Sequence, residues 1–381
     1  MSRPSNSTLF AATAAVGLGN LGFWVLPLTI GILIDNLGFS QTEAGYLTSI
    51  EVGAIALGSF SMVPFTSGSL LRKLALLFAM VVIGAHMLST QAQSFQSLAV
   101  FRFACGFGEG VILASGYAAI SRTENPDRLY AIVFVLVGIM ASILLAILPL
   151  IVKTFGGSSY FITLACLTSV LIPAYLWSQT PEADEGESHI SEVTSAPRHD
   201  VLKVSLLLTA IFLVAFLEAC SWTFVERRGI HLGIDEVTIG YMLGICTIAG
   251  VSGGILASVL GNKFGRARPI GFALTLQGLC VALMYLSPYR NVFLIGLILW
   301  SFCLFFVYPY LLGAAASFPN SAKWTVIAGA LMTAGSVFGP ALSGLVIGDA
   351  DYQRFAWMLL VLSAFALLLV SVSLNSRTSR C

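Results

Sequence analysis

Charged residues are scarce in this sequence of 381 residues: Lys, Arg, Asp and Glu make up 10% of it, whereas hydrophobic residues make up 57%. Soluble globular domains carry roughly 25% charged residues. A chain this apolar has too few polar groups to cover its surface, so lipid must be its solvent over most of its area. The composition therefore excludes a soluble domain and predicts an integral membrane protein.

Several kinds of site are also missing. The seven cysteines are scattered without a CxxC or Cys/His cluster, which argues against a disulfide framework and against a metal site. No stretch is basic enough to bind nucleic acid, and no HExxH or ATP-binding motif is present. We therefore expect a protein that is not an enzyme and that has no catalytic residues, no metal and no cofactor.

Twelve apolar stretches are long enough to cross a bilayer, which takes about 20 residues per helix. The first is too long for a signal-peptide core and lacks a small-residue cleavage site, so we interpret it as a span. The sequence predicts an all-α membrane protein with twelve transmembrane helices at 8–34, 42–64, 70–89, 96–120, 129–152, 159–178, 201–225, 237–260, 269–287, 292–316, 324–347 and 355–374.

A polar, acidic segment that contains proline divides these spans into two sets of six. We predict an N-terminal six-helix bundle at 1–178, a cytoplasmic linker at 179–200 and a C-terminal six-helix bundle at 201–381. Of the 19 Lys and Arg residues, 13 fall in loops and tails on the side of the termini and five in loops on the other side. This bias predicts that both termini are cytoplasmic, in a bacterial cytoplasmic (inner) membrane.

The two halves resemble each other at an offset of 195 residues. Leu37-Gly-Phe-Ser40 with Gly45-Tyr46 matches Leu232-Gly-Ile-Asp235 with Gly240-Tyr241. Ser40 and Asp235 stand where a helix N-cap belongs, and Ser40 with Glu43 forms an S-x-x-E capping box. Further on, residues 117–121 parallel residues 313–317 at an offset of 196. Repeated halves are typical of secondary transporters.

Two motifs resemble those of the major facilitator superfamily. One is the loop Gly261–Arg268, with Asn262 where the family usually has Asp; the other is Arg102 followed by Gly106 in span four. The equivalent loop in the first half, residues 67–73, has largely lost the pattern. The resemblance implies two bundles that rock around a central site lined by spans one, four, seven and ten. It also implies a cytoplasmic gate motif at Asn262, Lys263, Gly265, Arg266 and Arg268.

Four charged residues lie inside predicted spans: Glu51, Arg102, Glu109 and Glu218. A charge at the bilayer centre costs about 2.5–3.5 kcal/mol on insertion scales. Their counterparts in the other half are uncharged: in the same order Cys246, Ile298, Phe305 and Phe23. The fold alone does not demand the charges, so we predict that all four take part in proton coupling. The alternative is a static ion pair of Arg102 with Glu51 or Glu109, and we interpret His86 in span three as structural.

Aromatic residues are frequent on the spans expected to line the cavity. We predict that a solute is bound by Arg102, Glu218, Trp222, Trp24, Tyr308 and Tyr310. Such residues suit an amphipathic or aromatic solute, or an organic acid or cation. Alternatively, the Trp and Tyr side chains anchor the span ends at the membrane surface.

These features predict a secondary active transporter of a small organic solute that works by alternating access, with a proton gradient as its driving force. The alternatives are a lipid or lysolipid flippase or exporter of the same fold, and a proton-driven efflux pump. The expected partners are the small-molecule substrate and membrane lipid. We expect a monomer that binds no nucleic acid.

The orientation can be tested with reporter fusions. Fusions after residue 190 and at the C-terminus should show cytoplasmic reporter activity, because both segments lie on the Lys/Arg-rich side. A fusion in the loop that contains Arg290 should report the opposite side. Equal reporter activity at all three positions would contradict the predicted topology.

Overall fold

A computed structural model of the chain describes residues 6–65, 68–92, 94–121, 123, 126–177, 198–318, 321–348 and 350–375. Within these ranges the chain is helical and no strand occurs. The helices are α1 (Asn6–Gly19), α2 (Leu21–Trp24), α3 (Leu26–Gly31), a π-helical segment (Ile32–Asn36), α4 (Gln41–Ser61), α5 (Gly68–Ser89), α6 (Phe95–Ser121), α7 (Pro126–Phe155), α8 (Ser158–Trp177), α9 (Arg198–His231), α10 (Glu236–Leu260), α11 (Ala267–Tyr285), α12 (Arg290–Ala315), α13 (Ser321–Ile347) and α14 (Tyr352–Asn375).

The predicted all-α membrane fold is confirmed. Each of the twelve predicted stretches is helical. Among the described residues, nine helices are long and apolar enough to cross a membrane: α5, α6, α7 and α9–α14. The other three stretches correspond to α4, α8 and the run from α1 to the π-helical segment.

The outer faces of these helices are apolar. Leu77, Met80, Val361 and Phe272 are each more than half exposed, as are many similar side chains. Charged side chains are instead found inside, where Glu51 and Arg102 are 2% and 1% exposed. Helices that are solvated by lipid are expected to carry apolar side chains on their outer faces and charged side chains in the interior.

The first span is not the single continuous helix that the sequence predicts. It divides at Asn20 and Val25 into α1, α2 and α3, and it ends in the π-helical segment. The Asn20 side chain donates a hydrogen bond to the Val16 carbonyl, so it competes with the helix for a backbone acceptor. Gly19 and Gly22 mark positions where this span lies against Leu113 and Glu109 of α6. Glycines next to a helix break have no side chain, so the backbone of the first span can approach α6 closely.

The chain forms two compact units, residues 1–188 and 189–381, here called unit 1 and unit 2. Unit 1 contains α1–α8 and unit 2 contains α9–α14. Most of the predicted cytoplasmic linker lies outside the described residues, so the linker stays a prediction. Helix α9 begins at Arg198, three residues before the predicted start of span seven at 201.

Both units contain the same close helix crossing. A Cβ at Gly58 of α4 would collide with the Phe107 carbonyl of α6, and a Cβ at Gly253 of α10 would collide with the Phe302 carbonyl of α12. Both members of the first contact are 195 residues from those of the second. The internal repeat seen in the sequence is thus a repeat of packing.

The helix caps follow the same repeat. At the start of α4, the Ser40 hydroxyl accepts from the Glu43 backbone N–H, and the Glu43 carboxylate accepts from the Ser40 N–H at 2.9 Å, which confirms the predicted capping box. At the start of α10, Asp235 accepts from the Thr238 N–H at 3.0 Å. Hydrogen bonds from Thr238 lower the pKa of Asp235. Each unit therefore begins its second long helix with a side-chain cap.

The close crossing predicts which glycines tolerate a side chain. Gly58→Ala and Gly253→Ala should each destabilise the protein by roughly 1–3 kcal/mol, because the added methyl group meets a backbone carbonyl. Gly84→Ala and Gly271→Ala are matched controls, since a Cβ at either position meets nothing within 4 Å. The controls should be neutral or slightly stabilising. Thermal unfolding in detergent measures the difference, and equal midpoints for all four variants would refute it.

Candidate functional site

Arg102 lies at the centre of a buried polar cluster in unit 1. Its Nη1 donates to Glu51 Oε1 of α4 at 3.1 Å. Its Nη2 donates to Ser89 Oγ at 2.7 Å and lies 3.3 Å from His86 Nδ1, both on α5. The guanidinium carbon lies 5.1 Å from the ring centre of Phe161 on α8, which is a cation–π geometry. One side chain of α6 thus contacts three other helices.

The polar contacts continue along α6 from Arg102 to Glu109. His86 Nε2 lies 3.4 Å from Cys105 Sγ, and the Cys105 thiol donates to Glu109 Oε1 at 3.7 Å. His86, which is interpreted from the sequence as structural, bridges Arg102 and Cys105. From the sequence, Cys105 is assigned to no site. Its place three residues after Arg102 and four before Glu109 was the available signal, because such spacings share a helix face.

Glu109 is held at the break in the first span. Its Oε2 accepts from the Gly22 backbone N–H of α2 at 3.1 Å. The side chain is 1% exposed. A Cβ at position 22 would lie 2.6 Å from Glu109 Oε2, so a glycine is needed for this approach. The carboxyl group is therefore positioned by a backbone amide and a thiol.

His86, Cys105 and Glu109 offer ligand atoms within 4.8 Å of one another, close enough to raise the question of a metal ion. A guanidinium can only donate, so the contact with Arg102 makes His86 Nδ1 an acceptor. The neutral imidazole then carries its proton on Nε2, the nitrogen that faces Cys105. A protonated nitrogen cannot ligate a metal, so these residues fit a hydrogen-bonded chain better than a metal centre.

Unit 2 contains a smaller polar pair. Tyr308 of α12 donates a hydrogen bond to Glu218 Oε2 of α9, and both side chains are half-buried. Trp222, one turn after Glu218 on α9, is buried. Tyr310 is buried as well and points its hydroxyl at the Ala257 carbonyl at 3.5 Å. The structure thus joins Tyr308 and Glu218 by a hydrogen bond. The hydroxyl of Tyr310 is directed instead at a backbone carbonyl of α10.

Trp24 lies in unit 1, in the short helix α2. It is half-buried and packs against a cluster of apolar side chains that includes Val16, Ile55 and Leu113. Its role in binding a solute stays a prediction, as do the roles of the other predicted site residues.

The predicted gate motif forms the turn between α10 and α11. Asn262, Lys263, Gly265 and Arg268 are exposed, and Gly265 has a positive φ of 67°. Arg266 is half-buried, and a Cβ at Gly313 would lie 3.3 Å from its Nε. Gly313 is in the last turn of α12, where a cation interacts favourably with the helix dipole.

Three charged residues near the end of α9 are buried rather than in a loop. Span seven was predicted to end at residue 225, but α9 continues to His231. Glu226 and Arg227 form a bidentate pair at 2.6 and 2.7 Å. Arg228 donates to the carbonyl of Ser287 at 2.8 Å and lies over Tyr352. These contacts satisfy the charges inside unit 2, which lets the helix continue past them.

The repeat provides an internal control for the cluster. At the offset set by the Gly58 and Gly253 crossings, Glu51 corresponds to Cys246 and Arg102 to Leu297. In unit 2, Cys246 Sγ donates to the Leu297 carbonyl at 3.5 Å. Arg102 and Glu109 thus correspond to Leu297 and Leu304, one position away from the sequence-based pairs. The same helix crossing forms in unit 2 without the charged side chains, so the fold does not require these charges.

The fold is that of a multi-pass membrane protein, and charged side chains are buried inside it. The chain belongs to the major facilitator superfamily: the family model described as Major Facilitator Superfamily matches residues 12–323 and 207–380. A relative described as the uncharacterized MFS-type transporter YceJ of Bacillus subtilis (strain 168) is 24% identical over 351 residues. That alignment covers 88% of this chain and 87% of the relative.

Solved structures with the same fold are also transporters. One is a bacterial homolog of the human lysosomal transporter Spinster, with a TM-score of 0.74, 14% identity and 100% of both chains covered. Another is a mutant of the nucleoside transporter NupG, with a TM-score of 0.72, 12% identity and coverage of 97% and 98%. A third is a POT family transporter in complex with a thioalcohol-conjugated peptide, with a TM-score of 0.75, 13% identity and coverage of 97% and 95%. At these identities the likeness shows the fold alone.

The Glu51–Arg102 pair should be strongly coupled. Glu51→Gln and Arg102→Gln should each destabilise the protein by roughly 3–5 kcal/mol, since each leaves the other charge buried without its partner. The double variant should lose much less than the sum of the two. Thermal unfolding in detergent of the four proteins gives the coupling energy.

The exposed pair of Asp351 and Arg354, at 3.5 Å, is the control for this cycle. Its side chains are 46% and 73% exposed, so Asp351→Asn should change stability by less than about 1 kcal/mol. Additive losses at Glu51 and Arg102 would show that the buried pair does not act as a unit.

Proposed function

We propose that this protein is a secondary active transporter that couples proton binding in unit 1 to the movement of a small organic solute. One observation carries the proposal. Glu51 and Glu109 are two buried carboxyl groups beside a single guanidinium, whose Nη1 is already committed to Glu51. With both carboxyls ionised, the cluster would hold a surplus negative charge in a buried site, which is strongly unfavourable.

A proton on Glu109 removes that surplus charge. The neutral form keeps its hydrogen bond from the Gly22 amide, because the carbonyl oxygen of the acid still accepts. Loss of the proton puts a negative charge beside a backbone amide at the break between α1 and α3. The protonation state of one side chain is thereby linked to a segment that is already kinked, which is the kind of coupling that a proton-driven carrier needs.

Glu218 and Tyr308 support a solute site in unit 2. The carboxylate is half-buried and accepts from one phenol, which leaves further acceptor capacity on its two oxygens. A buried Trp222 one turn away adds an aromatic surface. This chemistry suits an amphipathic solute with a cationic or hydrogen-bond-donating group.

A lipid flippase is less well supported. A flippase would need polar groups open to a lipid headgroup between spans two and eleven, and Glu51 is the charged residue embedded in span two. Glu51 is 2% exposed and paired with Arg102 in the interior of unit 1. The carboxylate therefore faces a protein partner, and a small solute remains the better proposal.

The multi-pass membrane location follows from the fold and the family. We further propose the bacterial cytoplasmic membrane, with both termini in the cytoplasm, on the excess of Lys and Arg in the loops and tails on the side of the termini. We also propose that the protein acts as a monomer.

Neutralising Glu109, the proposed proton site, and Glu218, in the proposed solute site, should separate proton coupling from solute binding. A thermal-shift screen of purified protein against solute classes first identifies a ligand. In proteoliposomes with an imposed pH gradient, Glu109→Gln should abolish accumulation of that ligand. The variant should still let the ligand move down its own concentration gradient. The amide oxygen of Gln still accepts from Gly22, so the fold should be kept.

Glu218→Gln should weaken binding of the ligand as well as its accumulation. Glu236→Gln is the matched control, because Glu236 is exposed in the first turn of α10. The control should transport normally. Gradient-driven accumulation that survives the Glu109→Gln/Glu218→Gln double change would refute proton coupling at these residues.

A further inference from the structure

A cavity in unit 1 opens next to the buried cluster. It has a volume of about 140 Å³ and is lined by the end of the first span, the end of α5 and the start of α8. A water molecule occupies about 30 Å³ in the liquid, so the cavity is large enough for roughly four or five waters. All of its lining residues belong to unit 1.

The cavity runs from an exposed mouth to a buried floor. Asn36 and Ser158 at the mouth are exposed, and Thr90 on the wall is half-buried. Ser89 and Phe161 at the floor are buried, at 0% and 1% exposed. The amide and the three hydroxyls give water hydrogen-bonding partners over this depth, whereas the same volume lined by apolar groups would stay dry.

The two floor residues are the ones that contact Arg102. Ser89 Oγ accepts from Arg102 Nη2 at 2.7 Å, and the Phe161 ring lies over the guanidinium at 5.1 Å. One layer of side chains therefore separates the cavity from the cluster. The π-helical segment forms part of the wall, and π-turns are frequent at functional sites. Gly157 lets this wall close up, because a Cβ there would lie 2.6 Å from Asn36 Cγ.

We propose that this cavity is a water-filled entrance through which protons reach Glu109 from the Asn36 end of unit 1. The proposal rests on the proton coupling proposed above and adds the route and the side. A proton leaves a cavity water and ends on a carboxylate oxygen, and the reverse transfer returns it to water. Arg102 does not release its protons. Water must therefore pass Phe161, whose ring is the barrier in this structure.

Several titratable and charged groups lie near Glu109, on its own helix and on the helices packed against it. In addition to the Gly22 amide of α2, the titratable and charged ones are Glu51 on α4, His86 on α5, Arg102 and Cys105 on α6, and Tyr160 on α8. Tyr160 is hydrogen-bonded to Thr29 at 2.6 Å, which occupies its hydroxyl. Any measurement must therefore assign the titrating carboxyl by substitution rather than by pH alone.

Infrared difference spectroscopy after a pH jump provides the test. Reconstituted full-length protein is stepped in pH, and the C=O stretching band of protonated carboxyl groups is followed in time. The part of the band that Glu109→Gln removes belongs to Glu109. Ser158→Trp, which fills the mouth, should slow this part by about tenfold, which corresponds to an added barrier of about 1.4 kcal/mol. The final amplitude should be unchanged, and Ser121→Trp, the same substitution at an exposed position outside the cavity, should behave as the unmodified protein.

A second variant tests the floor in the opposite direction. Phe161→Leu shortens the barrier over Arg102 and should speed the same band change. If Ser158→Trp fails to fold, Thr90→Cys replaces it: this thiol should react with a small hydrophilic thiol reagent, whereas Thr168→Cys, at a position that is 0% exposed, should not. The native cysteines set the background, measured on the unmodified protein.

The outcomes separate the route from the function. Equal rates for Ser158→Trp and Ser121→Trp, or an unreactive Thr90→Cys, would overturn the entrance but leave proton coupling in place. A carboxyl band that neither Glu109→Gln nor Glu51→Gln changes would instead overturn the proton site itself, and the entrance with it.

Discussion

The buried guanidinium of Arg102 is the constraint on which the polar cluster of unit 1 depends. A charge inside a lipid-solvated bundle is strongly unfavourable unless neighbours satisfy it. Arg102 therefore needs the carboxylate of Glu51, the hydroxyl of Ser89 and the ring of Phe161, each on a different helix. Through these contacts one side chain of α6 is joined to α4, α5 and α8.

Glycine makes these contacts geometrically possible. A Cβ at Gly106, one turn beyond Arg102, would collide with the Glu51 carbonyl, so α4 and α6 can meet closely only without it. Unit 2 repeats the close crossing at Gly253 but places Cys246 and Leu297 where unit 1 has its ion pair. The close packing is common to both units and is a property of the fold, whereas the charges at these positions are specific to unit 1. This difference between two copies of one design supports a functional role for the cluster.

The cluster also explains the irregular first span. Glu109 needs a hydrogen-bond donor, and the Gly22 N–H supplies it where α1 gives way to α2. A regular helix would keep most of its N–H groups for its own carbonyls. The break at Gly22 lies against Glu109, and the π-helical segment of the same span lines the cavity whose floor contacts Arg102. A transporter that changes shape with protonation would be expected to place its least regular helix beside its titrating group.

The apolar composition, the charge scarcity and the repeat at 195 residues determined the fold class from the sequence, because burial in lipid demands apolar helices wherever they pack. The same reasoning singled out Glu51, Arg102 and Glu109 as exceptions. Periodicity could not show that Glu51 rather than Glu109 pairs with Arg102, since both were plausible partners. Periodicity also could not predict that His86 contacts the guanidinium, that the first span is broken, or that Arg228 is buried at the end of α9. Those features depend on contacts between residues far apart in the chain, and only the tertiary structure decides which of them form.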